Sequence, residues 1–226
     1  MRIAFISDVH ANIVALKAVL EDVDKMGIQT IVSAGDVVGY YPFPNETIRT
    51  LRDRKVIGIR GNHDRSVLTA NTNMMNMMAS AAVRWTVQNM EREGMEYLRK
   101  LKDHMDFHVS TLRATVHHGS PFDEDEYVFE HNVEDEMLKA CPGSKMLVLG
   151  HTHVPYVVHL ERGYVINPGS VGQPRDGDPR ACYILHDTTK DSFEIRRVEY
   201  DISAVEEAVM KAGLPSKNAS RLRDGV

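Results

Sequence analysis

The chain has 226 residues, a length suited to one well-buried domain, with 42% hydrophobic and 26% charged residues, ordinary for a globular protein. Its formal net charge of −5 argues against broad nucleic-acid binding, which relies on Lys and Arg contacts to phosphates, yet admits a small anionic substrate where a metal reverses the local field. Two cysteines, Cys141 and Cys182, make a disulfide framework unexpected, and no apolar run approaches the length of a membrane span.

The first predicted strand is "RIAFI", which runs straight into Ser7-Asp8-Val9-His10. That beginning fits no signal peptide, so a cytoplasmic location without a membrane partner is expected. "ANIVALKAVLEDVDKMG" follows, with Ile13, Leu16, Leu20 and Val23 at helical spacing before Gly27. "TIVSA" then leads into Gly35-Asp36, and strand, helix, strand in that order is a parallel unit. "KVIGI" leads into Arg60-Gly61-Asn62-His63-Asp64. Residues 71–103 read as two helices inserted outside the sheet. Met74, Met75, Met77 and Met78 crowd the start of this insertion and are expected to fill an irregular core gap; the other reading is an adaptable apolar wall over the site or a partner surface. "LRATV" leads into His117-His118-Gly119-Ser120, and "KMLVL" into Gly150-His151-Thr152-His153.

After that the pattern changes. "YVVHLERGYVINPGS" reads as two strands about Arg162-Gly163, and "ACYILHDTTKDSFEIRRVEY" as a second pair, which predicts a second, largely antiparallel sheet. "ISAVEEAVMKAG" is a packing helix, and the polar tail from Leu214 is expected to fray. With no internal repeat and no low-complexity linker, one domain over residues 1–226 is expected.

Five strands thus end in polar clusters, and open α/β sheets place ligands beyond the carboxyl ends of their strands. His151 and His153, one residue apart, converge on one point if the backbone is extended, as helical neighbours at that spacing do not. The clusters offer Asp8, His10, Asp36, Asn62, His63, His117, His118, His151 and His153. Carboxylates, an amide and several imidazoles exceed one tetrahedral zinc site and suit two adjacent divalent cations. No cysteine takes part, and no glycine-flanked nucleophile elbow surrounds Ser7 or Ser120.

In order, the blocks Asp8-Val9-His10, Gly35-Asp36, Gly61-Asn62-His63-Asp64, His118-Gly119 and Gly150-His151-Thr152-His153 resemble those of the calcineurin-like metallophosphoesterase superfamily. "DVHANIVALKAVL", "GDVVGYYPFPNETI" and "NPGSVGQPRDGDPRACY" are similar to the small prokaryotic branch related to diadenosine tetraphosphate hydrolases. The resemblance implies a four-layer αββα sandwich of two sheets flanked by helices. It implies one metal on Asp8, His10 and His153, a second on Asn62, His118 and His151, and Asp36 bridging both. It selects His118 over His117 because the family ligand directly precedes glycine, and it makes His63 the group facing the leaving group.

Such a centre implies attack by a metal-bridging hydroxide on a phosphodiester, a phosphomonoester or a dinucleoside polyphosphate, with His63 as proton donor. Nitrogen-rich ligation points to manganese, iron, zinc or nickel over magnesium or calcium. Arg175 leads Arg60 and Arg180 as the residue for the remaining phosphate oxygens, since it lies in "GQPRDGD". Two departures stand out. Ala11 replaces the branch's usual glycine, and Gly39 occupies the place where serine/threonine phosphatases carry an aspartate that supports the catalytic histidine. A phosphoprotein phosphatase is therefore the second enzymatic reading, and a non-catalytic scaffold on the same fold is the reading from another class.

Overall fold

The apolar runs become strands of two five-stranded sheets. The computed structural model describes residues 1–109 and 112–226. Its first half comprises β1 (Arg2–Ile6), α1 (Ile13–Lys25), β2 (Thr30–Ser33), α2 (Pro44–Asp53), β3 (Ile57–Gly58) and α3 (Asn62–Thr69). The inserted pair α4 (Met77–Asn89) and α5 (Arg92–Lys100) follows, then β4 (His104–Val109), β5 (Leu112–His117), α6 (Asp135–Lys139) and β6 (Met146–Val148). The chain continues through β7 (Pro155–Leu160), β8 (Gly163–Pro168), β9 (Ala181–Asp187), β10 (Ser192–Val198), α7 (Ile202–Lys211) and α8 (Ser216–Asp224).

Local chemistry sets these boundaries. The Asn12 side chain accepts the Ala15 N–H at 3.1 Å, satisfying one orphan donor at the start of α1. Ile13, Leu16, Leu20 and Val23 then form the buried stripe, and Gly27 at φ +67° turns the chain away.

In the first sheet, of order β10-β9-β1-β2-β3, the strands β1, β2 and β3 are parallel. In the second, of order β4-β5-β6-β8-β7, β5, β6 and β8 are parallel, with antiparallel β4 and β7 at the edges. The expected second antiparallel sheet does not form. Its two hairpins part company: β7 and β8 extend the second sheet, while β9 and β10 return to pair with β1 in the first. The reason lies in β9, where Ala181 through His186 are all buried. A strand covered on both faces belongs inside a sheet, and β9 takes such a place between β10 and β1.

Period-two alternation stacks the layers. Ile3 and Phe5 point inward with Val32 and Ile184, against Ala114, Val116, Met146 and Ile166 of the second sheet. Ala4 and Ile6 point outward to Leu16, Val19 and Leu20 of α1. Leu147 and Val165 cover the opposite outer face with Met137 and Leu138 of α6. The result is the αββα sandwich.

Two other expectations need correction. The tail does not fray: Ala219 and Leu222 of α8 pack with Val205 and Val209 of α7 and with Tyr40 and Tyr41. Those few small and apolar positions are masked in sequence by the charged residues between them. The methionines also divide. Met75 packs on the core and Met78 is half-buried, but Met74 and Met77 are 98% and 82% exposed and fill no gap. No helix among the described residues is long and apolar enough to cross a membrane.

Candidate metal centre

Every predicted ligand sits just past the carboxyl end of a strand or at the start of the helix that follows. Asp8 and His10 follow β1, Asp36 follows β2, Asn62 and His63 open α3 after β3, His118 follows β5, and His151 and His153 follow β6. Both sheets therefore contribute to one site, where the ends of the parallel strands meet. The local backbone is unusual. Asp8, His10, Asp36, His151 and His153 all have positive φ, between 51° and 68°. Left-handed backbone at a non-glycine residue costs roughly 1–3 kcal/mol and persists only where the surroundings impose it. Ala11, at φ +59°, shares this conformation, which glycine adopts more readily.

The side chains form three groups that share members: Asp8, His10 and His153; Asp36, His118 and His151; and, between them, His10, Asp36 and His63. Within each group, one ligand atom per residue lies within 4.8 Å of the others. The Asn62 Oδ1 lies 3.1 Å from His118 Nε2, at the edge of the second group. Asp36 Oδ2 is 3.6 Å from His10 Nε2 and 3.4 Å from His118 Nε2. Three imidazoles are oriented alike: Nδ1 of His10, His118 and His153 meets the carbonyls of Val38, Ala34 and Gln173 at 3.3, 2.8 and 2.5 Å. Each can donate Nδ1–H to the backbone and leave Nε2 free to ligate, the arrangement found around bound metals.

The donor set has no internal solution. His10 Nε2 and His153 Nε2 face each other at 3.1 Å, and the buried Asp8 Oδ1 has no hydrogen-bond partner. Asp8 Oδ1 lies 3.2 Å from His153 Nε2 and 3.7 Å from His10 Nε2. Lone pairs converging in a dry pocket are satisfied by a cation at their centre, so the residues fit divalent metal.

Electrostatics agree with that reading. Burial opposes ionisation of Asp8 and Asp36, but His153 beside the first and His118 beside the second hold both carboxyls below their usual range. Burial pushes His10 well down and takes His151 to about 3. His118 moves the other way: burial disfavours its charge, yet the Asp36 and Asp8 carboxylates outweigh burial and raise it to about 9. His118 would thus hold a proton at pH 7 in the metal-free site, one it would have to shed in order to ligate a cation. Metal uptake is expected to release about one proton at pH 7 and to tighten as pH rises toward 9. Calorimetric titration with manganese in two buffers of different ionisation enthalpy measures this, and equal heats in both would refute it.

His63 is buried beside this cluster and donates its backbone N–H to Asp36 Oδ1 at 2.9 Å. Its ring packs between His10 and Tyr40, with centroids 4.7 Å from each, and its Nδ1 has no partner. A Cβ at Gly39 would stand 2.5 Å from that nitrogen, so the place of the supporting aspartate is closed to any side chain. Asp64 anchors the loop instead, accepting N–H groups from Val37, Val38 and Gly61 at 3.1, 3.0 and 3.0 Å.

Of the three arginines, Arg175 alone reaches the site. It is half-buried, and its backbone N–H donates to the His153 carbonyl at 3.3 Å. Arg60 is bidentate on Asp103 at 2.6 and 2.8 Å, and Arg180 pairs with Asp178, so neither is free for phosphate. His117 points away from the centre and stacks on His104 across β4 and β5, with ring centroids 5.0 Å apart.

Three residues escaped sequence reasoning. Tyr40 packs on His10 and His63, Tyr127 lies over His151 with centroids 3.9 Å apart, and Arg221 of α8 stands over Tyr40. Tyr40 lies within the quoted GDVVGYYPFPNETI block but nothing there assigns it a role, and no motif surrounds Tyr127 or Arg221. A cavity of about 460 Å³ opens beside Asn62 and His151, walled by Tyr127, Met74 and Met75. Two of the methionines thus line the approach to the centre.

A four-layer αββα sandwich carrying paired histidine–aspartate groups at its strand ends defines a metal-dependent hydrolase of phosphate esters. The chain belongs to the calcineurin-like phosphoesterase superfamily, whose domain matches residues 1–191. It is 34% identical over 97% of its length to the uncharacterized protein MJ0912 of Methanocaldococcus jannaschii, covering 96% of that protein. It is 27% identical to phosphodiesterase YfcE of Escherichia coli, over 82% of this chain and 87% of that one. The crystal structure of a metallophosphoesterase from Sphaerobacter thermophilus superposes over 100% of both chains, with a TM-score of 0.87 and 35% identity.

Proposed function

We propose that the chain is a two-cation phosphoesterase acting on a small phosphorylated substrate, with residues 1–226 folded as one domain. Asp8, His10 and His153 hold one divalent ion, and Asn62, His118 and His151 hold the other. Asp36 bridges them. The observation that carries this reading is Asp36 Oδ2, a single oxygen within 3.6 Å of an imidazole from each group. The donor chemistry favours manganese, iron, zinc or nickel over magnesium or calcium. When bound, the cations supply acidified water for attack at phosphorus and positive charge against its equatorial oxygens.

The chain's own residues do the rest. The backbone carbonyls of Val38, Ala34 and Gln173 hold three imidazoles in the tautomer that ligates. His63, packed on His10 beside Asp36, delivers a proton to the departing oxygen. Arg175 meets a phosphate oxygen, and Tyr127 shields His151 from bulk water. A phosphodiester suits the site, as does a phosphomonoester or dinucleoside polyphosphate, and the likeness to a phosphodiesterase favours the first. A phosphoprotein phosphatase is disfavoured because the aspartate that would support His63 has no room at Gly39.

The test is metal content with activity. Two manganese ions per chain are expected, with hydrolysis of bis(p-nitrophenyl) phosphate abolished by chelation and restored better by manganese than by magnesium. One ion per chain, or activity undiminished after complete chelation, overturns the proposal.

A further inference from the structure

The methionine-rich start of the inserted helices takes no part in the metal chemistry, yet two of its side chains border the approach to the centre. Met74 and Met75 line the cavity of about 460 Å³ that opens beside Asn62 and His151, a volume in the range of small-molecule sites. Met75 is half-buried and packs on the core, whereas Met74 is 98% exposed. Tyr127, 52% exposed, belongs to the same lining, with its ring over His151. A single exposed apolar side chain needs no explanation. Two methionines and a tyrosine around one cavity, against a metal ligand, are an apolar wall, and such a surface marks a place where something binds.

The turn that carries the methionines is built. The Asn73 N–H donates to Asn71 Oδ1, the Met75 N–H to the Thr72 carbonyl and the Ala79 N–H to Asn76 Oδ1, each at 3.0 Å. The Ser80 hydroxyl lies 3.3 Å from the carbonyls of Thr72 and Met75. This backbone is fixed, while the unbranched, polarisable side chain of Met74 can shape itself to what it meets.

Charge narrows the occupant. Among the described residues, Arg65 and Asp125 are the charged side chains of the lining, and they pair with each other, while Glu124 stands 3.2 Å from Arg65 Nη1. No cation is left there for an anionic group. Ser66, Thr69, Asn71 and Asn73 supply neutral hydroxyls and amides. Neither His10 nor His63 belongs to the lining, so the cavity is open to the ester group that stays on phosphorus rather than to the one that leaves beside His63.

We propose that Met74, Met75 and Tyr127 recognise the ester group that stays on phosphorus, and that this group is an uncharged aryl or bulky apolar alcohol. The inference rests on the phosphoesterase reading and specifies the second arm of its substrate. The wall binds that arm and takes no part in making or breaking bonds. A diester with a small or charged arm leaves the cavity unused.

The test measures kcat/KM of the manganese-loaded protein on three diesters that share the p-nitrophenolate leaving group: p-nitrophenyl phenyl phosphate, p-nitrophenyl methyl phosphate and p-nitrophenyl 4-carboxyphenyl phosphate. Burial of the retained ring is expected to favour the phenyl over the methyl ester by roughly 10- to 100-fold, and the carboxylate to cancel most of that gain. Met74→Ser is expected to lower the phenyl-to-methyl ratio by roughly 3- to 10-fold, and Met74→Leu to keep most of it. Calorimetric binding of phenylphosphonate against methylphosphonate, which have no ester bond to hydrolyse, reads the same preference without turnover. Equal kcat/KM on the phenyl and methyl esters, equal binding of the two phosphonates, or a Met74→Ser protein with an unchanged ratio overturns the wall and leaves the phosphoesterase reading standing. A carboxylated ester as good as the phenyl ester overturns the uncharged arm. If the protein hydrolyses none of the three, the phosphoesterase reading fails and the wall falls with it.

Discussion

Asp36→Asn is expected to lower the rate on every substrate by roughly 10³-fold, the upper end of the range for removing one preorganised charge-stabilising group. The two oxygens of Asp36 have separate tasks. Oδ1 accepts the His63 N–H at 2.9 Å, which the asparagine Oδ1 can still do, so the loop is expected to hold its shape. Oδ2 faces His10 and His118 together, and there an amide brings no charge. Loss of that charge weakens both ion sites at once, where changing a ligand of one group weakens one. It also removes the main influence keeping His118 protonated, so the variant should release fewer protons on metal uptake. Metal analysis, hydrolysis rate and circular dichroism are needed together. Two ions at full occupancy in a folded Asp36→Asn protein would refute the bridging role.

His63→Ala should behave differently, keeping both metals and losing rate by roughly 10²–10⁴-fold on substrates that need a proton. In the metal-free protein burial pushes the imidazole down to about 4, against the pull of Asp36. His63 is then neutral at pH 7, and a phosphoryl anion beside it favours the protonated form. An acid must hold its proton, so the activity it supports falls as pH rises through its pKa in the substrate complex. A p-nitrophenyl ester leaves as a stabilised phenolate and should lose little. An alkyl ester leaves as a basic alkoxide and should lose most. A ligand variant such as His151→Ala should slow both by similar factors. Rates for an aryl and an alkyl ester, with metal content checked, separate these outcomes. Equal losses in His63→Ala would mean that this side chain orients the phosphate and does not supply the proton.

The residues of the centre were legible because each is tied to a strand end, and strand ends are local. A short apolar run followed by Gly35-Asp36 or Gly150-His151-Thr152-His153 places its polar residues at a carboxyl end whichever sheet the strand joins. Periodicity likewise marked α1 and α7 from their apolar spacing.

Partners were another matter. The contact from His151 N–H to Asp8 spans 143 residues, and no spacing in the chain encodes that closure. The same limit explains the misplaced hairpins. Their turns and alternation announced β7 to β10, but which strand each pairs with depends on where two-sided burial is available, a property of the assembled sheets. It explains Arg221 as well: a polar tail reads as frayed until Ala219 and Leu222 find α7 and the tyrosine loop. The sequence by itself determined which side chains stand at strand ends, because hydrophobic period and turn chemistry act within a few residues. The tertiary structure alone decided which of those ends meet, which tyrosines and arginines close around them, and which backbones bend to positive φ. Those outcomes depend on packing between segments that lie apart in sequence, by as much as the 143 residues between Asp8 and His151.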